Sequence, residues 1–595
     1  MIQKAELAAT KTRNARVSCL IMRICSSSRF QQELYPDVWR SVCFGSAGEN
    51  SLSKRLLFTA EFQNTVIISH QNRREAACFL GDRYASNSLK PNTVHMMAVD
   101  LLTSPRWQAE HLGMPMPDSV HAVSACLPLW DHIIKYEEGD ASVVSRLQAA
   151  YPRFCLHPFV RQLCVKVFGA TATGLIFPSS KVADRAIKYL RWRGVTSGKL
   201  VTVDGQPFVG VSVAAEDFAR LKEYWQHAGE VISSRGAETA LRGERVVSSE
   251  TPARLELRRR LAELRRGDTR DIWLFPCGMS AIAAAWRATR AQDASSPSVQ
   301  FGFPYVDTLK IQQRFEPAEY RFFPVGNEHD LDELRRLLKS QKVSAVFCES
   351  PTNPLLTVPD LAALRTLADQ HGFVLVIDDT LAACINQNVL PFADMVVTSL
   401  TKYFSGYGDV LAGCVTLNPQ SPFAAVLRNS LSADFEELMI DADAEVLEMN
   451  SRDVRERVEI INHSAQILAD RLSRHELVDR VFHPSLNAYS SSMVPASGHG
   501  GLMSIVLKRP EFTTPVMFDH LEVCKGPNLG TNFTLCCPYT ILAHYTELDF
   551  VEQCGVSRWL LRISIGVEPV EELWQRFQRA LTKAASSIDP TLLTL

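Results

Sequence analysis

The sequence has no long apolar run, no metal-binding cysteine pattern and almost no net charge. Across 595 residues, no uninterrupted apolar stretch reaches the roughly 18 residues that a membrane-spanning helix needs. The 15 cysteines form no CxxC pair and no Cys/His cluster of zinc spacing, and their odd number disfavours a closed disulfide framework. The 63 Lys and Arg oppose 65 Asp and Glu, so no global field attracts nucleic acid. We therefore expect no membrane span, no metal, no nucleic-acid partner and a reducing, cytoplasmic setting.

The N-terminal segment is basic and irregular. Its first thirty residues have Glu6 as their one acid. This composition is compatible with a mitochondrial transit segment, but no clear amphipathic face emerges, so a disordered basic tail is the preferred interpretation. Residues 1–75 show little sustained periodicity and are predicted to form a poorly organised leader.

The rest of the chain has a globular composition, with 46% hydrophobic and 22% charged residues. After Asp271, short apolar runs alternate with helical patterns, which predicts an α/β domain with a mainly parallel sheet. Strand-like runs that follow long helical patterns near the C-terminus predict a smaller α+β domain. The predicted organisation is a leader (1–75), an N-terminal α/β extension (76–240), a large domain (241–435) and a C-terminal small domain (436–595).

Polar residues follow four of the predicted strands. In open α/β sheets, ligands bind beyond the carboxyl ends of the strands, so these positions are candidates for a site. The residues concerned are Gly278 and Met279 after 272–275, Asn353 after 345–347, Asp378 after 373–377, and Ser399, Thr401 and Lys402 after 395–397.

The combination of Lys402 and Asp378 points to pyridoxal phosphate (PLP). That cofactor needs an amine for covalent attachment and a carboxylate for its ring nitrogen. Small hydroxyl residues beside the lysine, and backbone N–H groups where a helix begins at Gly278, suit a phosphate dianion. Taken singly, the lysine is a surface charge and the other residues end a strand or cap a helix; the combination favours the cofactor site.

Residues 399–413 (SLTKYFSGYGDVLAG) resemble the cofactor-lysine signature of the Cys/Met-metabolism PLP enzymes, the cystathionine γ-synthase family of the aspartate-aminotransferase-like fold. Further motifs follow in the family's order: Gly278-Met279, 349–354 (ESPTNP), Asp378 and 561–568 (LRISIGVE). Upstream, residues 121–124, 136–140, 151–154 and 225–235 resemble the N-terminal extension of the fungal branch. The resemblance covers nearly everything beyond residue 120.

The resemblance implies a fold-type-I large domain with a mainly parallel sheet of the seven-stranded type. It implies that Lys402 attaches the cofactor and moves protons, that Asp378 keeps the ring nitrogen protonated, and that Tyr305 stacks on the ring. Asn353 would contact the cofactor's phenolic oxygen or the substrate, and Arg562 would bind the substrate carboxylate, a role suited to a planar guanidinium. It assigns phosphate binding to Gly278, Met279, Ser399 and Thr401.

The chain also departs from the family pattern. The family places a Tyr-x-Arg phosphate clamp, supplied by a neighbouring subunit, just before the charged helix, whereas this chain has Val246 and Ser248 there. Arg245 is a partial substitute, and Val306-Asp307 replaces a glycine pair after Tyr305. These differences predict a specialised paralogue.

The function implied is γ-replacement on an O-acylated homoserine, joining cysteine or a related nucleophile, within a homo-oligomer (dimer or tetramer) that uses small amino-acid substrates. Two alternatives stay open. One is a γ-elimination lyase acting on cystathionine or methionine; the other is a catalytically silent family member acting as a binding or regulatory subunit.

Overall fold

The computed structural model describes residues 99–170, 173–315, 319–486 and 498–587, so the predicted leader lies outside the described residues. The strands are β1 Gly174–Phe177, β2 Lys199–Thr202, β3 Val209–Ser212, β4 Ile272–Phe275, β5 Ser298–Phe301, β6 Tyr320–Phe323, β7 Ala345–Glu349, β8 Val374–Asp378, β9 Met395–Ser399, β10 Gly413–Leu417, β11 Val478–Phe482, β12 Leu502–Leu507, β13 Cys524–Lys525, β14 Leu535–Pro538 and β15 Leu561–Ser564. The helices are α1 Trp130–Glu137, α2 Ala141–Val144, α3 Pro158–Phe168, α4 Ser180–Trp192, α5 Phe218–Ala228, α6 Ser234–Leu241, α7 Pro252–Arg265, α8 Gly278–Gln292, α9 Val306–Arg314, α10 Glu328–Leu338, α11 Leu361–His371, α12 Ala424–Asp434, α13 Asp441–Asn450, α14 Val454–Ser473, α15 Pro510–His520, α16 Tyr539–His544, α17 Leu548–Gln553 and α18 Val570–Ala585.

A seven-stranded sheet with the order β4-β10-β9-β8-β7-β5-β6 forms the centre of the fold. The strand β10 is antiparallel to both of its neighbours, and the remaining pairs are parallel. Its inner strands are buried on both faces, which is why they consist of continuous apolar residues. The predicted α/β class and mainly parallel sheet are confirmed, and the carboxyl ends of β4, β5, β7, β8 and β9 meet at one edge.

The helix α8 packs against β9 and β10. Its buried residues include the small side chains of Ala281, Ala283, Ala284 and Ala285. Alanine favours the helix and keeps the helix axis close to the sheet. As a result, the N-terminus of α8 lies directly beside the end of β9.

Two further sheets flank the central one in the sequence. β1, β2 and β3 form an antiparallel sheet in the N-terminal extension. A five-stranded sheet, β11-β12-β15-β14-β13, is antiparallel except for the β13–β14 pair and confirms the α+β character of the C-terminal region. The domain boundaries themselves stay predictions. Among the described residues, no helix combines the length and apolar character needed to cross a bilayer.

Candidate active site

A cavity of about 340 Å³ opens where the carboxyl ends of the parallel strands meet. It is lined by side chains from the central sheet, from the N-terminal extension and from the C-terminal region. Every predicted site residue except Thr401 lines it: Gly278, Met279, Tyr305, Asn353, Asp378, Ser399, Lys402 and Arg562. Gly278 and Arg562, which lie 284 positions apart in the chain, therefore share one cavity.

Thr401 is the predicted phosphate-binding residue that the structure does not bring to the cavity. Its hydroxyl accepts a hydrogen bond from the Ala412 amide at 2.9 Å and donates to the Ala412 carbonyl at 3.2 Å. The strand β9 ends at Ser399, so the chain turns before Thr401 and its side chain leaves the face that Ser399 occupies. Thr401 instead ties the Lys402 loop to the start of β10.

The amine of Lys402 lies inside the cavity between two polar groups. Its Nζ donates to Asn528 Oδ1 at 2.6 Å and to the Tyr151 hydroxyl at 3.3 Å. The same Nζ lies 4.5 Å from the centre of the Tyr151 ring. Burial, followed by the charges of Arg562 and Arg153, holds the pKa of Lys402 well below its ordinary value. This shift favours the unprotonated, nucleophilic form of the amine.

Two carboxyl groups lie on neighbouring strands at the cavity wall. Asp378 at the end of β8 is in register with Glu349 at the end of β7. Burial raises the pKa of Asp378 to about 6, and burial together with the charge of Asp378 raises the pKa of Glu349. A protonated ring nitrogen beside Asp378 would offset this desolvation, so the carboxyl suits a pyridinium partner.

Arg562 on β15 approaches the cavity from the C-terminal sheet. Its guanidinium donates to Asn353 Oδ1 at 3.3 Å and to the Pro527 carbonyl at 3.0 Å, and it lies 4.7 Å from the centre of the Tyr539 ring. The Asn353 amide in turn donates to the Tyr539 hydroxyl at 3.3 Å. These contacts fix the plane of the guanidinium, which preorganises it for a carboxylate.

The N-terminus of α8 lies at the cavity wall, where its first amides form a cradle for a phosphate. The Cys277 amide is bonded to Ser280 Oγ at 3.1 Å, and the next amides, of Gly278 and Met279, begin the helix beside the cavity. A Cβ on Gly278 would lie 2.6 Å from Cβ of Ser399, so only glycine leaves this space open. Helix N-terminal amides attract anions, and the residues present therefore fit a phosphate-bearing cofactor.

The Gly278→Ala substitution is expected to weaken cofactor binding by about tenfold or more, because the added methyl displaces Ser399 from the cradle. An absorbance titration with PLP measures the loss. Gly267→Ala is the matched control, since its Cβ would meet only Leu390 at an ordinary 3.7 Å. Equal PLP affinity in the two variants would contradict the assigned cradle.

The structure adds cavity contacts that the sequence did not assign. Asn528 and Tyr151 hold Lys402, Arg153 holds Tyr305, and Tyr539 holds Asn353. Residues 151–154 belong to the resemblance to the fungal extension, and no spacing rule connects them to Lys402.

The segment that lacks the expected clamp is folded onto its own chain. The Val246 side chain is buried, and the Ser248 hydroxyl donates to the carbonyls of Glu437 and Met439 at 2.6 and 2.7 Å. Arg245 is exposed. None of these three residues lines the cavity.

Comparisons with known proteins agree with this geometry. The family model described as Cys/Met metabolism PLP-dependent enzyme matches residues 227–582, and the model described as the N-terminal domain of fungal trans-sulfuration enzymes matches residues 160–233. A cystathionine gamma-synthase from Neurospora crassa is 35% identical over 80% of this chain and 98% of its own length. An L-2-amino-4-chloropent-4-enoate dechlorinase/desaturase from Streptantibioticus cattleyicolor is 33% identical over 79% of this chain and 98% of its own length.

A solved structure shows the same fold. It is cystathionine gamma synthase from Xanthomonas oryzae pv. oryzae in complex with aminoacrylate and cysteine, with a TM-score of 0.50 and 23% identity. The match covers 57% of this chain and 87% of that chain.

Proposed function

The chain belongs to the Cys/Met metabolism family of PLP-dependent enzymes, and from that premise we propose that it catalyses γ-replacement on an O-acylated homoserine. Cysteine or a related nucleophile would replace the acyl group at Cγ. The wide span shared with the Neurospora crassa protein supports this choice. The dechlorinase/desaturase at similar identity shows that family membership alone does not fix the reaction, so the proposal depends on the cavity.

The position of Lys402 carries the proposal. γ-Replacement requires proton removal first at Cα and then at Cβ, and one base on a flexible stem can reach both carbons. The Lys402 amine lies inside the cavity beside Asn528 and Tyr151, and its lowered pKa leaves it able to accept a proton. A lysine with an ordinary pKa would be protonated at neutral pH and unable to act as the base.

The other cavity residues orient the substrate around this amine. Arg562 binds the amino-acid carboxylate through its fixed guanidinium, and Asn353 supports that guanidinium at 3.3 Å. Bound PLP supplies an electron sink for the two deprotonations. Asp378 holds a positive charge at the ring nitrogen, and the amides of Gly278 and Met279 anchor the phosphate.

The proposed reaction balances without a redox partner. The Cγ–O bond breaks and releases a carboxylic acid, and a Cγ–S bond forms when cysteine attacks. Lys402 returns one proton to Cβ and one to Cα, and the thiol proton leaves with the acid. No electrons are gained or lost overall.

We also propose a homo-oligomeric assembly. Leu255 on α7 and Met449 on α13 are exposed at 56% and 54%, and the two helices pack together. These two apolar side chains are exposed on helices that pack together, and a second copy of the chain is the proposed occupant of this surface.

The reaction is tested with PLP-loaded protein and O-acetylhomoserine or O-succinylhomoserine, with and without cysteine. Mass spectrometry is expected to show cystathionine and the free acid in equal amounts only when cysteine is present. Release of 2-oxobutyrate and ammonia at the same rate without cysteine would replace the proposal with γ-elimination. No product from protein that binds no PLP would support the silent-subunit alternative.

A further inference from the structure

A buried arginine from the N-terminal extension is built into the wall of the cavity. The side chain of Arg153 is only 2% exposed and forms an ion pair with Asp307, which is fully buried. It also donates to the Gln226 carbonyl at 3.0 Å and to the Tyr305 hydroxyl at 2.5 Å. Burying a guanidinium is costly unless it is paired and hydrogen-bonded, so these partners define one position for Arg153.

The arginine belongs to a chain of buried polar groups that ends at Tyr305. His227 Nδ1 lies 2.8 Å from Asp307 Oδ1, and the other carboxylate oxygen accepts from Arg153. At the main chain, the Tyr305 amide donates to Glu349 Oε1 at 2.5 Å. The tyrosine is thus held at its amide and at its hydroxyl, and its side chain cannot change its χ1 rotamer without breaking the bond from Arg153.

Tyr151, two residues before Arg153, contacts the side chain of Lys402. Its hydroxyl lies 3.3 Å from Lys402 Nζ, and its ring faces the same atom. A tight turn, in which the amides of Phe154 and Cys155 donate to the Tyr151 carbonyl, brings Tyr151 and Arg153 to the cavity together. The guanidinium of Arg153 lies 5.4 Å from the ring centres of both Tyr151 and Tyr305.

We propose that residues 151–153 make the N-terminal extension part of the active site of its own chain, with Arg153 positioning Tyr305 and Tyr151 contacting the Lys402 amine. The match to the Cys/Met metabolism PLP-dependent enzyme model begins at residue 227, so these residues lie outside it. The inference rests on the proposed function only in the experiments that measure turnover. The experiments that measure PLP affinity use no substrate.

The central test removes both charges of the buried pair. The double variant Arg153→Met/Asp307→Asn leaves no unpaired buried charge, whereas Arg153→Met alone leaves Asp307 uncompensated and unfolds more readily. The double variant is expected to fold, as followed by thermal unfolding, and to bind PLP about 10- to 100-fold more weakly, the range for losing a hydrogen bond from a charged group. The absorption band of the bound cofactor is expected to shift, because the tyrosine ring is no longer held.

A third substitution, at Tyr305, shows whether Arg153 acts by positioning Tyr305 or only through general packing. Tyr305→Phe removes the same hydrogen bond, so adding it to the double variant is expected to cause little further loss of PLP affinity. Arg191→Gln, at an exposed position of α4 in the same extension, is the control and keeps wild-type affinity.

A folded double variant with wild-type PLP affinity, or a further full loss on adding Tyr305→Phe, would overturn the role of Arg153.

For Tyr151, Tyr151→Phe keeps the ring and is expected to shift the acidic limb of the kcat pH profile; an unchanged profile would overturn its contact with the amine. PLP affinity is measured without substrate. A failure of the proposed reaction would therefore appear as missing cystathionine at normal PLP affinity.

Discussion

Replacing Lys402 by alanine is expected to lower turnover by about 10⁴-fold or more and to abolish covalent attachment of the cofactor. Loss of a general base alone costs about 10²- to 10⁴-fold, and the variant also loses the amine that binds PLP. The Lys402 amine is the one that the structure places beside Asn528 and Tyr151 with a lowered pKa. The visible band with added PLP, before and after borohydride, measures attachment, and peptide mass spectrometry places the reduced adduct.

Lys222 provides a control within the same cavity, because it is also a lining residue. Lys222→Met is expected to keep the visible band and the borohydride-fixed adduct. A band that survives in Lys402→Ala, or an adduct found on Lys222, would show that the wrong amine has been assigned.

The second large effect is expected at Asp378. Asp378→Asn keeps the shape of the side chain but removes the negative charge at the ring nitrogen, so the rate is expected to fall by about 10²- to 10³-fold, as when one preorganised electrostatic group is lost. The visible band should persist, because Lys402 is intact. Stopped-flow absorbance measures the visible band, and steady-state rates measure the loss of turnover.

Asp378→Asn is also expected to change how stability depends on pH in the cofactor-free protein. The pKa of Asp378 is raised to about 6 by burial, so the folded state holds a proton that the unfolded state has already released near pH 5. Stability of the wild type is therefore expected to decrease as pH rises from about 4 through 6, and Asp378→Asn should show less of this decrease. For the PLP-binding measurement, Asp379→Asn is the control: it breaks a buried pair with Arg265 and is expected to lower the melting temperature while leaving the cofactor band.

The edge of the central sheet could be predicted because it depends on local patterns. Apolar runs defined the strands, and the residues just after them, such as Gly278, Asp378 and Lys402, reached the cavity because parallel strands end at one edge. Thr401 does not line the cavity, because the alternation of side chains along β9 does not continue past Ser399. The sequence did not reveal that the chain turns there and bonds Thr401 to Ala412.

Contacts between distant segments could not be predicted from patterns. Nothing in periodicity connects Tyr151 with Lys402 or Arg153 with Asp307, because those pairs depend on how the extension packs against the large domain. The charged helix shows the same limit. In α7, Leu257 and Leu261 are fully buried while Leu255 is 56% exposed. Which leucines of the helix are buried depends on the neighbouring elements that the fold packs against it.

The alanine-rich face of α8 has a consequence for how this protein tolerates change. A helix moves nearly as a rigid rod, so a larger side chain at Ala284 or Ala285 would lift the whole rod from β9 and β10. The amides of Gly278 and Met279 at its tip would move with it. Substitutions at Ala284 or Ala285, more than a turn away from Gly278 and Met279, would thus reach the phosphate cradle without touching it, which restricts side-chain size at these two positions.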